Sequence, residues 1–499
     1  MKPFFSLVCF SVATTFAIDN TTFAKDRLES FYAEFLCREK DDLAAVGLSS
    51  ECFADGGGVR PLPTPPPPSP YVNPLPPPTP STPGLLPIVI KNNSGYLDSE
   101  VYVLIQGRDP STGNQVFVNI GSTGIGTLHT VSVGDNGNTY SVLLSGLPAT
   151  STGGRVIYIP PTDSFLVMLS MENKLNIPVL TGNKIADPAF DNPSDPYGNF
   201  NTIWDQVEGA YVTATTPNIA VDATAVSFFS IPLQVYLSTP NSGTNANCGL
   251  TQSRTSLINY LNQAFATVPV PPANSQWSKL TLYNGSSPLR VLSPGKSMAA
   301  GGFDLNYLDN ASSYLYSYLS NIWYGTLGFY QNNTLSIEIP GGKVYSGRAS
   351  GNTIRLESGS DYVVLGPIAQ GPPYDQSTTW KIFSGKNIYS STSNDSDAIQ
   401  VSKAFEEAII AGIVPTTDLI NASTLSTLSV FRPYYRVNSN LSYLGKETGP
   451  WYDLYSAAIH ACGLIYTYAY DEPLWPEVLL QSNTLQPSTY IGITIGQVK

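Results

Sequence analysis

Trp204-Asp-Gln-Val-Glu208 and the longer run Val221-Asp-Ala-Thr-Ala-Val-Ser-Phe-Phe-Ser-Ile-Pro232 carry the strongest signal for both fold and chemistry in this chain. Both patterns are typical of β-strands. Side chains of a strand alternate between its two faces, so Trp204, Gln206 and Glu208 share one face. A carboxyl group beside an indole in a charge-poor chain is a candidate general acid, because such surroundings raise a carboxyl pKa. The alternative, a solvent-facing strand glutamate, stays open at this point.

The composition narrows the classes of partner. Only 12% of the 499 residues are Asp, Glu, Lys or Arg, against roughly 25% in ordinary soluble domains. The formal net charge is −12 and the lysines and arginines form no cluster. This argues against a nucleic-acid partner, because phosphate contacts need clustered cations. A neutral sugar polymer fits the balance better. No run of about 18 apolar residues follows the N-terminal region, so we expect no membrane span.

The first 87 residues differ from the rest. Residues 1–24 have the pattern of a secretory signal peptide, cleaved after Ala17 or Ala24, with a buried N-terminal strand or helix as the alternative. We therefore expect a secreted or cell-surface protein. Residues 25–60 are rich in charge and predict a small helical module. Residues 61–87 contain 14 prolines and predict an extended, semi-rigid linker that spaces the following domain away from something.

Residues 88–499 form one unit without a further change of composition. Short apolar runs bounded by Gly, Pro and Asn predict strands to about residue 240, and a last strand returns at Tyr490–Ile495. The predicted fold class is β-rich α+β: a β-barrel or sandwich (about 88–240 plus the C-terminal strand) joined to a mixed α/β part (about 241–480). Apolar spacing of three and four residues predicts helices in the second part, at Ser256–Phe265, Ala311–Trp323, Asp397–Ala411 and Tyr452–Tyr466.

Histidine usage argues against several kinds of active site. His129 and His460 are the only two histidines, one in a turn region and one inside a predicted helix, so a Ser-His-Asp arrangement is poorly supported. The cysteines lack the C-x-x-C spacing of a zinc site. We expect neither a metal nor an organic cofactor. Carboxylate chemistry remains, and glycoside hydrolysis needs only two carboxyl groups.

The cysteines suggest disulfides in an exported chain. Cys37 and Cys52 are the expected pair because they are close in sequence. Cys248 and Cys462 are either bonded or buried free thiols, and the sequence leaves this open.

Six motifs, taken in order, resemble one enzyme family. They are Asn192-Pro-Ser-Asp-Pro196, Trp204-Asp-x-Val-Glu208, Val226-Ser-Phe-Phe-Ser-Ile-Pro232, Leu289-Arg-Val-Leu-Ser-Pro294, the series Phe303…Tyr307…Asp309…Trp323, and Tyr468-Ala-Tyr-Asp-Glu472. With these motifs, residues from about 88 to 499 resemble glycoside hydrolase family 64, the laminaripentaose-producing endo-β-1,3-glucanases of the thaumatin-like superfamily. The resemblance implies a thaumatin-like barrel and a mixed α/β domain flanking a wide cleft for a β-1,3-glucan chain. It also implies endo-type, inverting hydrolysis with a Glu acid, here Glu208, and an Asp base.

The base is where this chain departs from the family. The family has Val-Asp where this chain has Val226-Ser227, and a serine hydroxyl is no base near neutral pH. Asp222 is the nearest carboxylate and our candidate base, although along a continuous strand it would point to the opposite face and need a bulge to reach the cleft. By the same alternation Asp205 is expected to point away from Glu208. A shifted register between this chain and the family motifs is a further interpretation.

Two functions follow from these residues. The first is a secreted β-1,3-glucan hydrolase with Glu208 as acid and Asp222 as base, and with Trp204, Thr224 and Ser227 in contact with substrate. The second is a non-catalytic glucan-binding or cell-surface protein that has lost its base, since general base catalysis alone supplies roughly 10²–10⁴ in rate. In either case we expect a monomer whose partner is a β-1,3-glucan.

Overall fold

The computed structural model describes most of the chain after residue 83 and ten residues of the proline-rich segment. The described ranges are 62–71, 84–194, 197–212, 218–239, 244–268, 277–299, 323, 328–367, 376–414, 417–421, 452–471, 478–482 and 488–499. All of them belong to one compact unit, Val59–Lys499. The predicted signal peptide, the helical module, the Cys37–Cys52 pair and nearly all of the predicted helix Ala311–Trp323 lie outside the described residues.

Strands dominate the described part of the chain. In chain order they are β1 (Leu86–Asn92), β2 (Val101–Arg108), β3 (Gln115–Ile120), β4 (Gly126–Thr130), β5 (Val142–Leu143), β6 (Arg155–Ile159), β7 (Thr162–Met171), β8 (Val179–Leu180), β9 (Lys184–Ile185), β10 (Trp204–Val212), β11 (Asn218–Ala223), β12 (Phe228–Phe229), β13 (Leu233–Thr239), β14 (Thr244–Gly249), β15 (Thr281–Asn284), β16 (Ser287–Leu292), β17 (Leu335–Ile339), β18 (Lys343–Ser350), β19 (Thr353–Ser358), β20 (Asp361–Leu365), β21 (Tyr389–Thr392), β22 (Leu480–Ser482) and β23 (Tyr490–Ile495). The helices are α1 (Gly137–Tyr140), α2 (Arg254–Thr267), α3 (Pro294–Ala299), α4 (Phe329–Asn332), α5 (Gln376–Ser384), α6 (Asp395–Ile410) and α7 (Leu454–His460).

The C-terminal strand lies in the middle of a five-stranded sheet. The order is β14-β13-β23-β1-β6, and β23 runs parallel to β1 and antiparallel to β13. Every residue of β23 is buried, which explains why its sequence is almost continuously apolar. The end of the chain thus completes the sheet that β1 begins, as the sequence predicts.

A second, eight-stranded sheet carries the candidate catalytic segments. Its strands run β22-β11-β10-β7-β2-β3-β4, with β5 paired to β2. Ile88 of the first sheet and Val103 and Val207 of the second lie in one hydrophobic core, so the two sheets pack face to face. β14 and β22 belong to these sheets as well. The sequence had assigned both strands to the mixed part.

The mixed part contains a third sheet and its helices. β17 to β21 form an antiparallel meander, and α6 packs against it. α6 begins after Asn394, whose side chain accepts a hydrogen bond from the Asp397 amide. The apolar spacing therefore predicted this helix to within two residues at its start.

The predicted helix Tyr452–Tyr466 is only partly correct, because α7 ends at His460. Beyond it the chain forms single β-bridges, Leu464 with Gly249 and Tyr466 with Thr224. A Cβ atom on Gly463 would lie 2.5 Å from the Gly249 carbonyl oxygen, so the two backbones approach closely. Apolar residues continue past α7 because the segment is packed between elements.

Three buried carboxyl groups make the stability depend on pH. Burial raises the pKa of Asp205 and Asp453 to about 7 and that of Glu406 to about 8, against roughly 4 in an unfolded chain. Between those values the folded state binds more protons, so the free energy of unfolding falls as pH rises. We expect the calorimetric Tm to decrease from about pH 5 to about pH 8, and Glu406→Gln to flatten the slope. A Tm that rises over this range would contradict the burial of these groups.

Candidate active site

Two neighbouring strands place Glu208 and Asp222 side by side. β10 runs antiparallel to β11, and their register pairs Glu208 directly with Asp222 and Val207 with Ala223. Such cross-strand partners share a face, with Cβ atoms about 4.5–5.5 Å apart. Val207 and Ala223 belong to the core. The two carboxyl groups therefore meet on the face that points away from that core.

The path of the chain after β11 corrects the expectation for Asp222. β11 ends at Ala223, Thr224 bridges Tyr466, and Phe228 already pairs with β16 in a different sheet. Residues 224–227 cross between two sheets and do not continue the alternation of one strand. The expectation that Asp222 and Ser227 face opposite ways was wrong for this reason, since both line the same pocket.

An open pocket of about 400 Å³ collects most of the predicted site residues. Glu208, Asp222, Thr224 and Ser227 all line it, and Tyr466 forms part of another side. The strand pairing, the inter-sheet crossing and the bridge to Tyr466 together build this concave, polar site.

Glu208 is half-buried and its surroundings favour the protonated acid. Burial raises the pKa of its carboxyl group, while a hydrogen bond donated by Gln206 Nε2 to Glu208 Oε1 (3.2 Å) has a smaller, opposing effect. A carboxyl group with a raised pKa holds its proton closer to neutral pH and can donate it. Asp222 is more buried, with 7% of its surface exposed.

Asp205 borders the pocket from the core side. Its Oδ2 accepts the amides of Ser230 and Ile231, both at 2.8 Å, and its Oδ1 accepts the amide of Gln206 at 2.9 Å. These bonds tie β10 to the segment that follows Ser227. Asp205 thus points away from Glu208, as the alternation predicts, and its contacts are structural.

Trp204 is not placed to stack on a sugar. Its indole is 1% exposed and packs edge-on against Phe228 and Phe190, with ring centroids 4.8 and 5.6 Å apart. A ring buried on both faces offers no surface to a ligand. The guanidinium of the buried Arg290 lies over the same two phenylalanine rings and donates to three backbone carbonyls of the chain before β10. Trp204 therefore supports the pocket from behind.

The side of the pocket formed by Tyr466 and Ala469 escaped the sequence reasoning. A buried cluster holds it in place: Asp471 Oδ2 accepts the Thr467 hydroxyl at 2.8 Å and lies 3.2 Å from His460 Nε2. Asp471 thereby shapes the turn between Thr467 and itself. The motif Tyr468-Ala-Tyr-Asp-Glu472 was the available signal, but nothing in it locates the pocket.

Other kinds of site find little support in the described residues. His129 lies 3.0 Å from Asp135 and stacks on Tyr140, outside the pocket. Among the described ranges no three His, Cys, Asp or Glu side chains converge as a metal site requires. Nor does that part of the chain contain a helix long and apolar enough to cross a membrane. Cys248 and Cys462 are both buried free thiols, which resolves the alternatives left by the sequence.

Comparison with known proteins identifies the family. The profile of the β-1,3-glucanases, glycoside hydrolase family 64, matches residues 84–482. The chain belongs to this family. Family 64 membership makes it a glycoside hydrolase of the β-1,3-glucanase type and confirms the resemblance drawn from the six motifs. A comparison with curated proteins finds no match.

Solved family 64 structures share the fold of this chain. A laminaripentaose-producing β-1,3-glucanase in complex with laminaritetraose is 18% identical, with 83% of this chain and 99% of that chain covered and a TM-score of 0.61. A β-1,3-glucanase domain from Clostridium beijerinckii is 20% identical, with 84% and 99% covered and a TM-score of 0.57. Against this shared fold, the family 64 chain described here has a serine hydroxyl at position 227 of its pocket.

Proposed function

We propose that this chain is an endo-acting β-1,3-glucan hydrolase in which Glu208 is the general acid and Asp222 the general base. The observation that carries the proposal is the β10–β11 register, which pairs these two residues within one pocket. A relative of the same fold solved with laminaritetraose supports a β-1,3-glucan as the substrate.

Glu208 begins the reaction as the protonated acid, because burial raises its pKa. Its proton passes to the glycosidic oxygen as the bond between that oxygen and C1 breaks. Asp222 removes a proton from the water that attacks C1 from the opposite face, so one new reducing end and one free hydroxyl result. Thr224 and Ser227 line the pocket and are our candidates for hydrogen bonds to sugar hydroxyls.

The separation of the two carboxyl groups determines the stereochemistry. Inverting sites need roughly 6.5–9.5 Å and retaining sites roughly 5–5.5 Å. Cross-strand partners start with Cβ atoms about 4.5–5.5 Å apart, so Glu208 and Asp222 reach the longer separation by leaning away from each other around the water. We propose this inverting course, in which a β-linked substrate releases a sugar that is first in the α-configuration.

Ser227 favours a second function, the binding of glucan without turnover. It stands where the family has its base, and Asp222 has to replace that base for hydrolysis to persist. Were Asp222 unable to do so, the pocket would bind glucan as a cell-surface or glucan-binding protein.

We also propose the finer architecture and the location. The two face-to-face sheets form a thaumatin-like barrel, and the mixed part flanks a wide cleft. The shared core of the sheets supports this arrangement. The pattern of residues 1–24 supports a secreted or cell-surface monomer.

Incubation of the full chain with laminarin and curdlan tests both functions. Reducing-end release reports hydrolysis, sedimentation with curdlan reports binding, and NMR of the first product reports its anomeric form. We expect release of the α-anomer. The β-anomer first would make Asp222 a nucleophile, binding without release would select the glucan-binding function, and neither binding nor release would reject both.

A further inference from the structure

We propose that residues 62–71 form a strap that positions one side of the candidate active site. The strap is Leu62–Tyr71, and the wall is defined as residues 462–466, whose Tyr466 lines the pocket. The sequence predicted a spacer here, but the described residues of that segment lie on the domain. The positioning role rests on the proposed function, whereas the docking of the strap does not.

The strap is fixed to the domain although much of it is exposed. Ser69 lies between two prolines and donates its amide hydrogen to Thr251 Oγ1 at 3.0 Å. Leu62, at the other end, packs against the main hydrophobic core. A proline-rich chain is already extended before it docks, so it loses little conformational entropy. A few contacts therefore hold it.

One side-chain amide joins the strap to the wall. Gln252 Nε2 donates to the Pro66 carbonyl at 3.3 Å and to the Cys462 carbonyl at 2.8 Å. Gln252 is buried, so these bonds are shielded from water. The first residue of the wall thus shares a hydrogen-bonding partner with the strap.

Gly249 makes a second connection. The Tyr71 hydroxyl donates to the Gly249 carbonyl at 3.3 Å, and the Gly249 amide donates to the Leu464 carbonyl. Tyr71 is 37% exposed, and burial of its ring together with the nearby Cys248 raises its pKa to about 12. Its hydroxyl therefore remains a donor throughout the neutral range.

The wall passes these connections to the pocket. The Tyr466 amide donates to the Ala223 carbonyl at 2.9 Å, and the Tyr466 carbonyl accepts the Ala225 amide at 2.6 Å. Thr224 lies between these two bonds and lines the pocket, two residues after Asp222. From Gly249 to Ala225 every link is a covalent or backbone hydrogen bond. Release of the strap therefore frees the wall and, with it, the Thr224 side of the pocket.

Hydrogen–deuterium exchange of the full chain, read by mass spectrometry, tests this role. Thr251→Val removes the acceptor for Ser69 while keeping the side-chain shape, and Tyr71→Phe removes only a hydroxyl. Thr64→Val, at an exposed position of the strap, is the matched control. Each lost neutral hydrogen bond should speed exchange about threefold to tenfold. We expect the double variant to speed exchange in both the strap and the wall, and the control in neither.

Laminarin affinity of the same variants separates positioning from simple docking. We expect the double variant to bind laminarin about threefold to tenfold more weakly, and the control to bind as wild type. Wild-type Ser69 exchanging as fast as in a free 62–71 peptide would overturn the docking. Faster exchange confined to the strap, with affinity unchanged, would overturn the positioning. A wild type that neither binds nor hydrolyses laminarin would reject the proposed function, and exchange in the wall would still decide the strap.

Discussion

Replacing Glu208 with glutamine should lower the rate of laminarin hydrolysis by roughly 10²–10⁴-fold while laminarin binding persists. The amide has the shape of the protonated carboxyl group and keeps its contact with Gln206. It cannot give its proton to the leaving oxygen, however, which is the step that the raised pKa of Glu208 serves. The measurement is kcat from reducing ends, with the dissociation constant determined in parallel.

The matched control makes the same change away from the pocket. Glu357→Gln alters β19, where the carboxylate is 59% exposed beside Arg355. An exposed pair contributes little, so rate and stability should stay near wild type. In the wild type, the rate should also fall as pH rises through the raised pKa of Glu208, and Glu208→Gln should lose that limb. A Glu208→Gln enzyme at wild-type rate would show that the acid is elsewhere.

Replacing Asp222 with asparagine should have an effect of similar size, roughly 10²–10⁴-fold on kcat, because general base catalysis contributes about that much. Asp222 is the strand partner of Glu208 and lines the same pocket. Asp187→Asn, at an exposed position before the pocket strands, is the control and should leave kcat unchanged.

Ser227→Asp turns this experiment into a test between the two functions. If Asp222 is the base, adding a carboxylate at position 227 changes the wild type little and partly restores the Asp222→Asn enzyme. An inactive wild type that gains activity from Ser227→Asp would show instead that the base was lost and that the natural chain binds glucan without cleaving it. Asp222→Asn at the wild-type rate would remove Asp222 from the mechanism.

Local patterns were sufficient for much of the fold. The alternation in β10 and the apolar run of β23 are properties of short segments, and such segments can be recognised one at a time. The same reasoning found α6 but extended α7 too far. Apolar spacing reports burial, and residues 463–466 are apolar because they pack between elements.

The sequence by itself determined the family, the β-rich class and Glu208 as the acid candidate, because each depends on residues that lie close together in the chain. Only the tertiary structure decided which carboxyl group opposes Glu208, since the register of β10 on β11 depends on pairing between separate strands. It also buried Trp204 and brought Tyr466 to the pocket. These outcomes arise from the packing of distant segments, which no local periodicity encodes.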